Sequence, residues 1–277
     1  MGVNIVTGAD QFGSEQRGYL VPPINTGLEG LFLFDGTRDG ALTQQQAIAN
    51  AVKNRVEGKP DAVAVGAPVA NARSMTFLNF TNFLQTLIAE TDNMTAIVVN
   101  RGDYAGGNYV SNTQSKAARN PNLASYGFSM HAIAATPSNG NSYYAQSDQY
   151  DSANGAVAGT AHSQPGLYNP DDTSWMAWSA RISETVAGGG AGSVGIVTRD
   201  ILTIGSKLST QRAAGLYRDH ASGALRIGSG NINDASKADP ITMAMVLIYS
   251  QALSDPDLAK TYQWIKQFCA GWHGFAV

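Results

Sequence analysis

With 277 residues, 43% of them hydrophobic, the chain can bury a sizeable core as one large β domain or two smaller ones. Charged residues make up only 14%, the net charge is −3 and the basic residues are scattered, which excludes the footprint of a binder of nucleic acid or of an anionic bilayer. A single cysteine, Cys269, excludes an intrachain disulfide and any multi-cysteine metal site, and is expected to be a buried, inert thiol.

Residues 1–26 read as an extended arm, because Gly2, Gly8, Gly13, Gly18, Pro22 and Pro23 break every short apolar group. The start lacks a basic stretch followed by an apolar one, and no run of about 18 apolar residues follows anywhere. A protein made and kept in the cytosol, or leaving it without a cleaved signal, is therefore expected.

From residue 27 the pattern becomes that of a single domain reaching residue 277. In GLEGLFLFDG, Leu31 to Phe34 form a short buried strand closed by an Asp-Gly turn. Residues 43–56 place Ile48, Ala51, Val52 and Arg55 at helical spacing behind a Thr cap. DAVAVGAPV alternates as a strand does, whereas MTFLNFTNFLQTLIAE fits either a helix or strands broken by Asn. TAIVVN is a strand.

The middle, residues 102–172, is rich in Gly, Asn, Ser and Tyr and reads as long surface loops around strands at 126–134 and 155–160. SWMAWSARISE alternates, placing Trp175 and Trp178 on opposite faces. VGIVTRDILTIG and GALRIGSG continue the strand series. Residues 243–249 are continuously apolar, the mark of a central strand covered on both faces. A helix follows, capped by Ser254, with Pro256 in its first turn and Leu258, Tyr262, Ile265 and Cys269 on one side. Short strands punctuated by turns, without βαβ alternation, predict an all-β fold: a two-sheet antiparallel jelly-roll sandwich with a short C-terminal helix.

Catalytic signatures fail one by one. A glycosidase on such a sandwich needs two facing carboxylates, yet none of Glu15, Glu29, Glu57, Glu90 and Glu184 has an acidic neighbour two residues away. The run from Gly190 to Gly195 spells G-x-G-x-x-G, but a strand follows it where a dinucleotide loop needs a helix, so it reads as a hairpin connection. His131, His162, His220 and His273 lie too far apart in sequence for a zinc motif. Arg101-Gly102-Asp103 reads as a turn after TAIVVN.

Sugar binding would need aromatic platforms flanked by amide and acid groups. Tyr143, Tyr144, Gln146, Asp148 and Tyr150 offer that mixture and are the candidate glycan-binding residues. No cofactor is implied. Calcium is the one metal the loop acids Asp148, Asp151, Asp171 and Asp172 would suit.

GLEGLFLFDG, GKPDAVAVGAPV, TAIVVNRG, SWMAWSARI, GALRIGSG and ITMAMVLIYSQALSDPDLAKTYQWIK, in that order over residues 27–268, resemble the concanavalin A-like, laminin G-like jelly-roll domains of bacteriophage and prophage structural proteins. The resemblance implies a non-enzymatic virion protein, made in the host cytoplasm and acting in a decoration, collar, baseplate or tail-fibre-associated position. Its partners would be other virion proteins and further copies of itself. A lectin-like receptor-binding module for cell-surface glycan is the alternative, and a glycoside hydrolase the third reading.

Overall fold

A strand with no solvent face organises the molecule. The computed structural model describes residues 21–101, 106–113, 115–117, 120–125, 127–133, 142–150, 157–163, 174–186, 194–231 and 237–277. Residues 1–20, most of the expected arm, lie outside that set. The first half of the described chain forms β1 (Leu28–Leu33), α1 (Gln44–Ala51), β2 (Val63–Val65), β3 (Val69–Ala70), β4 (Met75–Phe77), β5 (Phe83–Gln85), β6 (Met94–Arg101), β7 (Gly107–Ser111), β8 (Ser115–Ala117) and β9 (Asn120–Ser125). It continues through β10 (Phe128–Ile133), β11 (Ser142–Tyr150), β12 (Val157–Ser163), β13 (Trp175–Glu184), β14 (Gly195–Ile201), β15 (Ser206–Gln211), β16 (Tyr217–Asp219), β17 (Arg226–Ile227), β18 (Ile241–Tyr249) and α2 (Asp255–Phe268).

Two antiparallel sheets face each other. The first runs β15-β14-β13-β6-β18-β4-β3, and the second β12-β11-β10-β7-β17-β5-β2. β18 gives one edge to β6 and shares the other between β1, at residues 245–249, and β4, at residues 241–243. All nine of its residues are buried. Met243, Val246 and Ile248 point between the sheets, whereas Ala244, Met245, Leu247 and Tyr249 point to the opposite side. The irregularity against β6 between Met243 and Met245 is what places Ala244 and Met245 on one side together.

That second apolar side must be covered, and α2 covers it. Ser254 accepts a hydrogen bond from the Asp257 amide, Pro256 fits the first turn where its missing N–H costs nothing, and Leu258, Trp264, Ile265 and Phe268 are buried against the first sheet. Trp178 lies in the inter-sheet core with no exposure, as one of the opposed pair must. Its outward counterpart Trp175 stacks on Phe275 of the C-terminal tail, 4.1 Å between ring centres. Cys269 is fully buried there, and burial pushes its thiol up to about 12.

Several expectations hold and others are corrected. α1 ends at Ala51, short of residue 56, and carries a capping box between Thr43 and Gln46. The ambiguous MTFLNFTNFLQ is two strands, β4 and β5, joined by a turn in which Phe80 takes a positive φ of 64°. DAVAVGAPV is split between the sheets, β2 in the second and β3 in the first. Gly66 makes that crossing at φ 67°, where a Cβ would meet the Thr81 carbonyl oxygen at 2.0 Å. The middle of the chain is corrected most: besides the two expected strands it holds β7, β8, β9 and the nine-residue β11, where long loops were expected. Glu184 of β13 lies opposite Gly195 of β14, whereas Gly190 to Ser193 of the G-x-G-x-x-G run lie outside the described residues.

The last residues of the arm are tied to the domain. Tyr249 Oη donates to the Ile24 carbonyl at 3.1 Å, and Gln251 Nε2 to that of Thr26 at 2.7 Å.

Two predictions follow from the helix layer. Ile265→Ala, at a side chain with no exposure between α2 and the first sheet, lowers stability by about 2–5 kcal/mol in urea unfolding. His273, 5% exposed beside Phe268 and Phe275, has its pKa pushed down to about 4, by burial first and against the pull of Asp35. The unfolded chain therefore takes up the proton near pH 6.5 and the folded one only near 4. Stability from this group is complete above about pH 6.5 and falls by about 3 kcal/mol as pH drops through 4. His273→Phe removes that part of the pH profile.

Candidate functional site

The five residues that the sequence singles out for sugar binding all fall on β11, and strand alternation divides them. Tyr143 points into the inter-sheet core, has no exposure and packs edge-on against Trp178 at 5.1 Å. From that position it presents no face to a ligand, which corrects its place in the expected platform. Tyr144, Gln146, Asp148 and Tyr150 share the opposite, outer face of the second sheet. Tyr144 and Tyr150, six residues apart, are about 20 Å from each other along the strand.

Each end of this row is an aromatic pair. Tyr144 stacks on His131, its partner across β10, with ring centres 5.0 Å apart and planes within 11°. Ser129 Oγ lies 3.0 Å from His131 Nδ1 and orients the imidazole, and Ser129 is itself paired with Gln146. At the other end Tyr150 stacks on Tyr217 of β16 at 5.4 Å. Tyr144, Gln146, Tyr150 and Tyr217 are partly exposed. Asp148 and Asp219, opposite each other between these pairs on the same outer face, are 1% exposed each and His131 3%, so the face is covered at these residues and both carboxylates are off the solvent surface.

β16 reaches its place through a buried ionic brace. Arg218 points inward and donates through Nη2 to Glu90 Oε1 at 2.6 Å and through Nη1 to the Asp92 carbonyl at 2.6 Å; the Arg218 and Glu90 side chains have no exposure. Glu90 Oε2 accepts from Asn112 Nδ2 at 2.9 Å and from the Ala221 amide at 3.1 Å. Asn112 Oδ1 in turn accepts from the Phe128 amide at the start of β10. The loop before β6 is thereby fastened to β16 and β10, the two elements carrying Tyr217 and His131. His220 Nε2 lies 3.2 Å from Asp92 Oδ1, and burial, then the Arg218 charge, hold its pKa below the ordinary value.

A concavity of about 370 Å³ lies on the far face of the first sheet beside the start of α2, walled by Ile196, Thr198, Ser209 and Leu253. Its charges are matched internally. Arg181 makes 2.9 Å bonds to both carboxylate oxygens of Asp200 and to the Leu253 carbonyl, and also pairs with Asp255, which Lys207 holds at 2.8 Å. Hydrogen bonds from Lys207 and Arg181 draw the Asp255 pKa down. This clamp seats the helix and leaves no charge unanswered.

Among the described residues no group of three or more His, Cys, Asp or Glu is placed to hold a metal ion. Asp151, Asp171 and Asp172 lie outside them, as do Gly102 and Asp103. Sequence reading missed His131, Tyr217 and the Glu90–Arg218 brace. Alternation in FSMHAI would have set His131 outward, but no local signal joins Glu90 to a residue so far along the chain.

The fold and site define a two-sheet β-sandwich domain with an aromatic row on one outer face. No protein-family profile matches the chain, and no curated protein matches it. Among solved structures it is similar to the botulinum neurotoxin type G receptor binding domain, with a TM-score of 0.49 and 9% identity over 87% of this chain and 52% of that one. It is also similar to Trypanosoma rangeli sialidase in complex with 2,3-difluorosialic acid, with a TM-score of 0.48 and 13% identity over 96% of this chain and 36% of that one. The chain thus spans about half of the first and a third of the second. At these identities the likeness concerns the fold and assigns no residue.

Replacing Arg218 with Met strands the Glu90 carboxylate in the interior and lowers stability by about 3–5 kcal/mol, read from urea unfolding.

Proposed function

We propose that the chain is a non-catalytic binding module that holds cell-surface glycan against the outer face of its second sheet. The observation that carries this reading is the row on β11, where two stacked aromatic pairs flank an amide side chain, with rigid strands beneath. Pyranose rings offer C–H faces that pack on aromatic faces and hydroxyls that bond amides, so the row matches an extended oligosaccharide in both shape and chemistry. The burial of Asp148 and Asp219 argues against hydrolysis, which needs a carboxylic acid in contact with the glycosidic oxygen and a second carboxylate in reach of the sugar.

A second reading, a virion structural protein acting through contacts with neighbouring subunits, is favoured by a different feature. The edge strand β2 carries Val63 and Val65 at 63% and 36% exposure, and an edge strand with apolar side chains turned to solvent invites pairing. On this reading the protein is located in the phage particle, and residues 1–26 are the arm expected to dock on neighbouring subunits.

Glycan-array screening of the full chain, with and without calcium, tests the first reading. A defined set of oligosaccharides is retained by the wild type, and Tyr144→Ala or Tyr150→Ala weakens the retention at least tenfold, about 1.4 kcal/mol. A blank array, or retention unchanged in both variants, overturns it. Release of reducing ends from a retained glycan would overturn the non-catalytic part alone.

A further inference from the structure

Alternation along β14 sends Val197, Arg199 and Ile201 between the two sheets, where Val197 and Ile201 belong to the inter-sheet core. Arg199 is therefore a cation inside an apolar layer, 2% exposed. A guanidinium offers five N–H donors and stays charged. Its one hydrogen bond is a long contact from Nη2 to Ser206 Oγ at 3.4 Å, and Nε and Nη1 have no partner.

The nearest acid does not answer this charge on the same face. Asp200, next along the strand, points to the opposite side, where both its oxygens are taken by Arg181. Glu90 and Glu184 are engaged by Arg218 and Arg212. An ion left alone in such a layer costs several kcal/mol, and an arginine cannot escape the cost by releasing its proton.

The surroundings hold further buried polar atoms without a partner, the Gln149 side-chain oxygen and the Trp178 indole N–H among them. Tyr143 against Trp178 at one end, and Arg218 against Met94 at the other, align β11 over β13. Met94 lies opposite Ile182 and Arg199 opposite Ala180, so Arg199 is level with Ala145 and Ser147 of the facing sheet. The register on β12 puts Ala161 opposite Ser147 and Gly159 opposite Gln149. On its own sheet Arg199 has Ala180 of β13 on one side and Leu208 of β15 on the other. Trp178, which is paired with Ile201, lies one diagonal step from Arg199 on the same face, and its Nε1–H also has no partner.

We propose that Arg199 forms an interior binding site for a small monovalent anion of the halide type, enclosed between the sheets beneath the β11 row. Unpaired donors on one face call for an acceptor. A single fixed positive charge in a low-dielectric layer calls for a single negative one; water would satisfy donors and leave the charge, and a divalent oxyanion would replace one excess charge with another. The site is independent of the glycan reading.

The test is thermal unfolding of the full chain titrated with sodium bromide against sodium gluconate at constant ionic strength, in parallel with Arg199→Met. The wild-type midpoint is expected to rise saturably relative to the variant, by about 5 °C at a hundredfold excess over the dissociation constant. Identical responses of the two proteins overturn the proposal. Should Arg199→Met not fold, wild-type crystals grown in bromide decide: an anomalous peak within about 3.5 Å of the guanidinium supports the site, and its absence there overturns it.

Discussion

The constraint on which the rest of the structure depends is that β18 is covered on both faces. In a strand of this kind a polar group needs a partner, as Thr242 has in the Thr76 hydroxyl at 2.9 Å and Tyr249 in the Ile24 carbonyl, and each fully buried aliphatic or aromatic residue contributes about 1.5–3 kcal/mol of transfer free energy. Burying one side calls for a second sheet, and burying the other calls for something beyond the first. The chain meets both demands in sequence order: β18 leads within a few residues into the Ser254 cap, and α2 turns back over the face that β18 has just exposed. The result is three layers, with the first sheet in the middle and the C-terminal tail closing over Trp175.

The second sheet is held differently. Its strand β11 turns Tyr143, Ala145, Ser147 and Gln149 inward, a mixed set that supplies less apolar area than β18 does. The brace between Glu90 and Arg218 supplies the missing definition, and two like it act within the first sheet. Glu90 with Arg218, Glu184 with Arg212 and Arg181 with Asp200 each join segments distant in the chain, and each is enclosed. Buried pairs of this kind add little net stability over apolar packing, but every alternative register would leave one member unpaired. Here they fix where β14, β16 and α2 sit.

This difference explains what could be seen in the sequence. The elements of the first sheet were legible because apolar runs such as TAIVVN and ITMAMVLIY carry an unambiguous signal, and the α2 cap is written in local residues. β11 was not, because small and polar residues face inward beside Tyr143 while Tyr144 and Tyr150 face outward, which blurs the usual pattern and resembles a loop. The candidate segment was therefore found by its chemistry. Assigning it to a loop concealed the alternation that separates Tyr143 from Tyr144. His131 and Tyr217 complete the row only through cross-strand pairing, and Glu90 finds Arg218 only through the fold.

The same layering decides which face is left for recognition. α2 covers the outer side of the first sheet over β18, and the tail covers it at Trp175. The concavity that remains beside α2 is closed by its own ion pairs. The outer side of the second sheet lies farthest from the helix layer, and its partly exposed tyrosines stand on strands whose registers are pinned from within. Rings held in this way lose little conformational freedom when a ligand settles on them, so contacts of modest individual strength can add along the roughly 20 Å of the row. A row of this kind, with Asp148 and Asp219 off the solvent surface, would hold an extended polar ligand by shape more than by charge.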